Sequence, residues 1–103
     1  MQFVITAYDG AGLLARRMEV RPRHMENMAR MADHVLCAGG LLDEEGKMKG
    51  SVLVMEFQDR EELDAYLAKE PYVTEHVWEQ IQVERMNVVL LDHKFWLPAT
   101  RIK

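Results

Sequence analysis

The residue types best suited to chemistry cluster in two short stretches, RPRHMENM (residues 21–28) and KEPY (residues 69–72). His24 stands two residues after Pro22, where a helix is expected to begin, because the missing N–H of proline costs nothing in a first turn. From about Arg21 to Leu36 the apolar spacing is helical. Turning about 100° per residue from His24, Met28 falls at about 40°, Met31 at about 340°, Val35 at about 20° and Ala32 at about 80°. Met25, Ala29 and Leu36 widen the apolar arc to about 140°, with Glu26, Asn27, Arg30, Asp33 and His34 assigned to the opposite side. His24 therefore points inward. A helix N-terminus and partial burial both favour the neutral imidazole, which is the state a general base needs. The same placement suits a structural histidine bonded to a backbone carbonyl, and residue types alone do not separate the two.

A base of this kind needs a group to orient it. Asp33 lies about 180° from His24 on the same helix and cannot serve. Glu70 can, because Pro71 forces it out of helical geometry and into a connecting loop. The competing role is local: an acidic residue directly before a proline often caps the next helical turn.

The elements that must hold these groups are legible in outline. Phe3–Tyr8 alternates like a strand, and DGAGLLARRMEV (residues 9–20) reads as a glycine-containing loop followed by a short helical turn. CAGGLLD and GSVLVMEF are two strands joined by the acidic turn DEEGKMK. Asp59 with Glu62 marks a second helix start, and Leu63, Tyr66 and Leu67 are its buried stripe. Pro71 ends that helix and opens a short turn through His76. A last strand lies in EQIQVERMNVVLL, with Ile81, Val83 and Arg85 on one face and a bulge expected near Met86. The order β-α-β-β-α-β is the ferredoxin-like, or split βαβ, arrangement: an α+β fold whose four-stranded antiparallel sheet carries two helices on one face. One domain spanning 1–103 is expected, with 91–103 as a C-terminal tail. Apolar residues on both faces of the later strands call for a cover over the helix-free face, and a second copy of the chain is the natural one.

Composition removes several classes of function. With 103 residues, a formal charge of −4 and only a short basic cluster at Arg16, Arg17, Arg21 and Arg23, the chain lacks the basic face that nucleic acid requires. The lone Cys37 fits a reducing compartment, and no apolar run is long enough for a membrane span, so a cytoplasmic protein is expected. His24, His34, His76 and His93 lack the close pairing of zinc ligands, and His93 reads as a surface or dimer-contact residue. GAG and AGG are turn signals rather than a phosphate cradle. The eight methionines point to an adaptable interior or interface.

QFVITAYD, RRMEVRPRHMENM, AGGLL, GSVLVMEF and EPYVTEHVWEQIQV, in that order, resemble the YciI-like family over nearly the whole chain. The resemblance implies a ferredoxin-like fold assembled as a dimeric α+β barrel, related in shape to muconolactone isomerase. The family includes a dehydrochlorinase acting on chlorinated hydroxyhydroquinone. Its proposed active-site pair is a histidine after RP-x and an aspartate before PY, with a serine near the start of the third strand. On this chain these positions hold His24, Glu70 and Ser51. Glu70 is a departure that adds one methylene, and DEEGKMKG is shorter than the family's usual loop. Arg17 and Arg21 match the family's basic loop and would attract an anionic ligand, while Tyr8, Tyr72 and Trp78 are candidate pocket walls.

The implied function is a cofactor-independent enzyme in which His24 moves a proton on a small cyclic oxygenated substrate, by isomerisation or elimination. Glu70 would act with it, and Ser51, Arg17, Arg21, Tyr8 and Tyr72 would bind the substrate. The alternative is a small-ligand binding or accessory protein with the same pocket and no turnover, and a third option is cofactor-free oxygenation. The partners expected are a small molecule and further copies of the chain, as a homodimer or a higher homo-oligomer.

Overall fold

The structure, a computed structural model, describes residues 1–95. The elements run β1 (Gln2–Asp9), α1 (Leu14–Arg30), β2 (Val35–Leu42), β3 (Met48–Glu56), α2 (Arg60–Leu67), α3 (Pro71–Thr74), β4 (Trp78–Met86), β5 (Leu90–Leu91) and β6 (Lys94–Phe95). A turn of 3-10 helix over Ala32–His34 joins α1 to β2. The main sheet has the order β2-β3-β1-β4 with every neighbouring pair antiparallel. The β-α-β-β-α-β order and ferredoxin-like class expected from the sequence are therefore those of the molecule, with the one-turn helix α3 added after α2.

Strand alternation decides what each sheet face carries. Phe3, Ile5 and Ala7 of β1 and Ser51, Leu53 and Met55 of β3 share the face under the helices, as their cross-strand pairing requires. Val20, Leu63, Tyr66, Tyr72, Val77 and Trp78 close the core over them. Each fully buried aliphatic or aromatic side chain there contributes roughly 1.5–3 kcal/mol. The opposite face carries no helix and presents Val4, Thr6 and Tyr8 beside Val52 and Val54 on one side and Gln80, Gln82 and Glu84 on the other. Among the described residues no helix is long and apolar enough to cross a membrane.

Several boundaries differ from the sequence expectation, and each has a local cause. The first helix begins at Leu14 rather than Arg21, after a turn in which Gly12 takes φ +73°. Pro22 therefore lies inside α1, where it removes one backbone hydrogen bond. Arg17 and Arg21 sit on that helix and not on a loop. The helix ends at Arg30, so Val35 and Leu36 belong to β2, while Asp33 and His34 lie in the 3-10 turn. The bulge falls at the start of β4, where Tyr8 pairs with Gln80 and Asp9 with Trp78, not near Met86. After Met86 the chain leaves the sheet, and Leu90–Phe95 forms a small hairpin with Asp92 and His93 at its turn. The rest of the expected tail, 96–103, lies outside the described residues.

The second helix starts as expected: the Asp59 carboxylate accepts from the Glu62 amide at 2.9 Å, and the Glu62 side chain reaches back to the Gln58 amide. Gly50 is required for close strand approach, since a Cβ there would stand 2.3 Å from the Ala7 carbonyl oxygen, whereas a Cβ on Gly39 meets nothing within 4 Å. Gly50→Ala is expected to lower unfolding free energy by at least about 2 kcal/mol, and Gly39→Ala to stay within about 0.5 kcal/mol of wild type. Urea denaturation of the two variants measures both.

Candidate active site

The α1 face that meets the sheet is polar as well as apolar. Its buried residues are Arg17, Val20, His24 and Asn27, spaced by three, four and three. His24 thus faces inward as expected, but from the middle of the helix rather than from its first turn. Met25 is 45% exposed and Ala29 and Ala32 are also exposed, contrary to the predicted arc. Asn27, placed opposite the apolar arc from the sequence, is buried.

Glu70 is fully buried and gathers donors from three elements. His24 Nδ1 lies 2.5 Å from Oε1, which also accepts the Tyr72 amide at 3.2 Å. Oε2 accepts the Tyr66 hydroxyl from α2 at 2.8 Å and Asn27 Nδ2 from α1 at 3.3 Å. Glu70 is also the N-cap of α3, with Pro71 in the first turn. Capping and orienting the imidazole therefore coexist in one carboxylate. Burial works to raise the Glu70 pKa, but the hydrogen bond and attraction from His24, with the bonds from Tyr66 and the Tyr72 amide, hold it below the ordinary range. The carboxylate is the charged partner and accepts a hydrogen bond from Nδ1–H, which leaves the lone pair on Nε2 whenever the ring is neutral.

The His24 ring stacks on Tyr72 at 4.0 Å between centroids and meets the edge direction of Trp78 at 6.1 Å. Tyr72 also packs under Arg17, whose guanidinium carbon is 4.6 Å from the ring centroid. Arg17 does not carry a free charge. Its Nη1 bonds both Asp9 oxygens, at 2.9 and 3.1 Å, and its Nη2 bonds Ser51 Oγ at 2.9 Å. Both side chains of this ion pair are about 5% exposed or less, and burial outweighs the Arg17 contact to leave the Asp9 pKa raised.

A cavity of about 150 Å³ opens between α1 and the β2–β3 half of the sheet. His24, Arg17, Arg21, Ser51 and Tyr72 all line it, with Met25, Met28 and Met48 among its apolar walls. A void of this size holds a single six-membered ring. Of the residues named from the sequence, Glu70 lies behind His24 rather than in the lining, and Tyr8 is remote, 43% exposed on the helix-free face. Trp78 backs the histidine without lining the cavity. Sequence reasoning missed three contributors, Asp9, Asn27 and the Tyr66 hydroxyl. The Tyr66–Glu70 spacing of one helical turn was a usable signal for the last. His34 is remote from this site, with Nδ1 bonded to the Glu56 carbonyl oxygen at 2.8 Å.

The antiparallel β2-β3-β1-β4 order with the helices on one face defines a ferredoxin-like α+β fold, here carrying a buried imidazole–carboxylate couple. Residues 1–87 match the YCII-related domain, and the chain belongs to that family. It is 30% identical over 97 residues to Protein YciI of Escherichia coli O6:H1, covering 86% of this chain and 99% of that one. It is 29% identical over 87 residues to Aspercryptin biosynthesis cluster protein B of Emericella nidulans, covering 76% of this chain but spanning only 56% of that relative. Among solved structures, it superposes on 5-chloro-2-hydroxyhydroquinone dehydrochlorinase (TftG) from Burkholderia phenoliruptrix, in complex with 2,5-dihydroxybenzoquinone. That match has a TM-score of 0.79 at 23% identity, over 84% of this chain and 94% of the other, and it establishes the shared fold.

Because Glu70 is held charged, its contribution to stability is present above the ordinary carboxylate pKa and is lost as pH falls through its lowered value. Glu70→Gln should be less stable than wild type by about 1–3 kcal/mol at neutral pH. The gap should narrow below about pH 4. Denaturation curves at several pH values read it directly, and a gap independent of pH would contradict the charged assignment.

Proposed function

We propose that this protein is a cofactor-independent enzyme that performs His24-centred proton transfer on a small cyclic oxygenated substrate. The single observation that carries the reading is the orientation of His24: Nδ1 is bound to a buried carboxylate on a ring that lines a cavity large enough for one small ring. A neutral imidazole so held can accept a proton at Nε2, and Glu70 then stabilises the imidazolium. In an isomerisation His24 returns the proton to another atom of the substrate. In an elimination the electron pair left by the proton expels a leaving group, such as a halide, from a neighbouring carbon. Ser51, Arg21 and Tyr72 contact the substrate oxygens, while Arg17 supports them through Ser51 and the Tyr72 ring. The fold shared with TftG, which acts on a chlorinated hydroxyhydroquinone, supports this substrate class.

The working form in this reading is a cytoplasmic homodimer. Val4, Val52 and Val54 give the helix-free face an apolar centre that a second copy would cover. Sedimentation equilibrium at micromolar concentration is expected to return twice the monomer mass, and a monomer would refute this assembly.

Turnover is tested with a panel of halogenated hydroquinones and unsaturated lactones. Wild type is expected to convert at least one compound, with kcat/KM falling at least about 100-fold in His24→Gln. His34→Gln, which alters a remote histidine, should leave the rate within about twofold. Binding without turnover would instead identify a small-ligand binding protein.

A further inference from the structure

The cavity's polar groups carry an unequal set of donors and charges. Ser51 Oγ accepts from Arg17, which leaves its own O–H to donate. The Tyr72 hydroxyl is buried with no hydrogen-bond partner among the described residues, although its residue lines the cavity. Arg21 is half-buried at the same cavity and makes no ion pair or hydrogen bond among the described residues. Its charge reaches the Tyr72 hydroxyl: burial raises the Tyr72 pKa, while Arg17 and Arg21 oppose the rise. His24, whose Nδ1 is bound to Glu70, has Nε2 as its remaining ring nitrogen, an acceptor when the ring is neutral.

The charges give the same asymmetry. Arg17 is neutralised by Asp9, so the remaining charged groups are Glu70, carrying −1, and Arg21, carrying +1. The groups facing His24 are Glu70 from the loop before α3, Tyr72 from α3, Arg17 and Arg21 from its own helix, and Tyr66 of α2 through Glu70. Trp78 of β4 also faces it and does not titrate. An acidic ligand that gives its proton to Nε2 creates two matched pairs, Glu70 with imidazolium and Arg21 with the ligand oxyanion. A neutral ligand leaves Arg21 without a counter-charge, and a dianion leaves one negative charge unmatched, which is costly in a confined site.

We propose that the cavity selects an acidic, oxygen-bearing ring bound as its monoanion, with one proton held on His24 in the complex. Arg21 and the Tyr72 and Ser51 hydroxyls hold the ligand's oxygens. This assignment deepens the function proposed above, because it builds on His24 as the cavity's base, but it concerns binding and does not require turnover. A ligand that arrives already ionised must therefore take up a proton from solution through His24 as it binds.

Titration calorimetry tests this with 1,3-cyclohexanedione, an enol ionised at neutral pH, and cyclohexanone as its neutral counterpart. In two buffers of different ionisation heat, wild type should take up about one proton per dione bound. Cyclohexanone should bind at least about tenfold more weakly. Arg21→Gln should weaken dione binding at least about tenfold and cyclohexanone binding by clearly less, and its melting temperature should stay close to wild type because Arg21 makes no hydrogen bond or ion pair among the described residues. His24→Gln should abolish proton uptake. Absence of uptake in wild type, equal binding of the two probes, or no measurable dione binding would each overturn the proposal. Proton uptake with no turnover of any panel compound would refute the catalytic reading alone, and turnover without uptake would refute this one alone.

Discussion

The structure depends on keeping one carboxylate charged where water does not reach it. Glu70 has no exposed surface, and an ionised group in that position is unfavourable unless its lone pairs are filled. Four donors fill them, and they come from α1, α2 and the first turn of α3. The same bonds that solvate the carboxylate thereby fix the relative positions of the three helices over the sheet. They also fix the plane and tautomer of the His24 ring. Stability and site geometry are consequently one set of interactions, and the imidazole is oriented before any ligand arrives.

The second buried charge pair plays a different part. Arg17 Nη1 binds both Asp9 oxygens and Nη2 is spent on Ser51, while Nε is buried without a partner among the described residues. This pair ties α1 to the end of β1 and to the middle of β3, and the guanidinium supports the Tyr72 ring. It shapes the wall without adding net charge. The contrast with Arg21, four residues later on the same helix, is one of partners rather than of residue type. Two arginines that look equivalent in the sequence divide into a structural cation and one left to face the cavity.

That contrast marks where the sequence was readable and where it was not. The element order and the strand faces were legible because apolar alternation and the Asp59–Glu62 cap are local signals that the packing does not override. The inward direction of His24 was legible from the apolar spacing around it, and the loop position of Glu70 because Pro71 restricts the chain before it. The start of α1 was misplaced because Pro22 was taken for a first-turn residue, whereas tertiary packing of Arg17 and Val20 extends the helix two turns earlier. Asn27 was placed on the side opposite the apolar arc, although at three residues from His24 it sits only about 60° away and shares the buried face. Asp9 escaped for another reason: it lies at the end of β1 and its partner on α1 across a turn, so the pairing appears only once the chain is folded.

The glutamate at position 70 is best understood through the turn that follows it. As the residue before a proline it is extended, with φ −70° and ψ 122°, and its side chain folds forward to accept the Tyr72 amide. A carboxylate held that way has one oxygen directed along the start of α3 and the other available to the side. The extra methylene lets Oε1 meet both the amide and His24 Nδ1 while Oε2 reaches Tyr66 and Asn27. Its length is thus taken up by the cap rather than pushed into the imidazole, and Tyr72 is carried by the same turn onto the face of His24. One loop residue therefore places the base, its counter-charge and the aromatic wall of the cavity together, because the bond that starts α3 is also a bond to the group that orients His24.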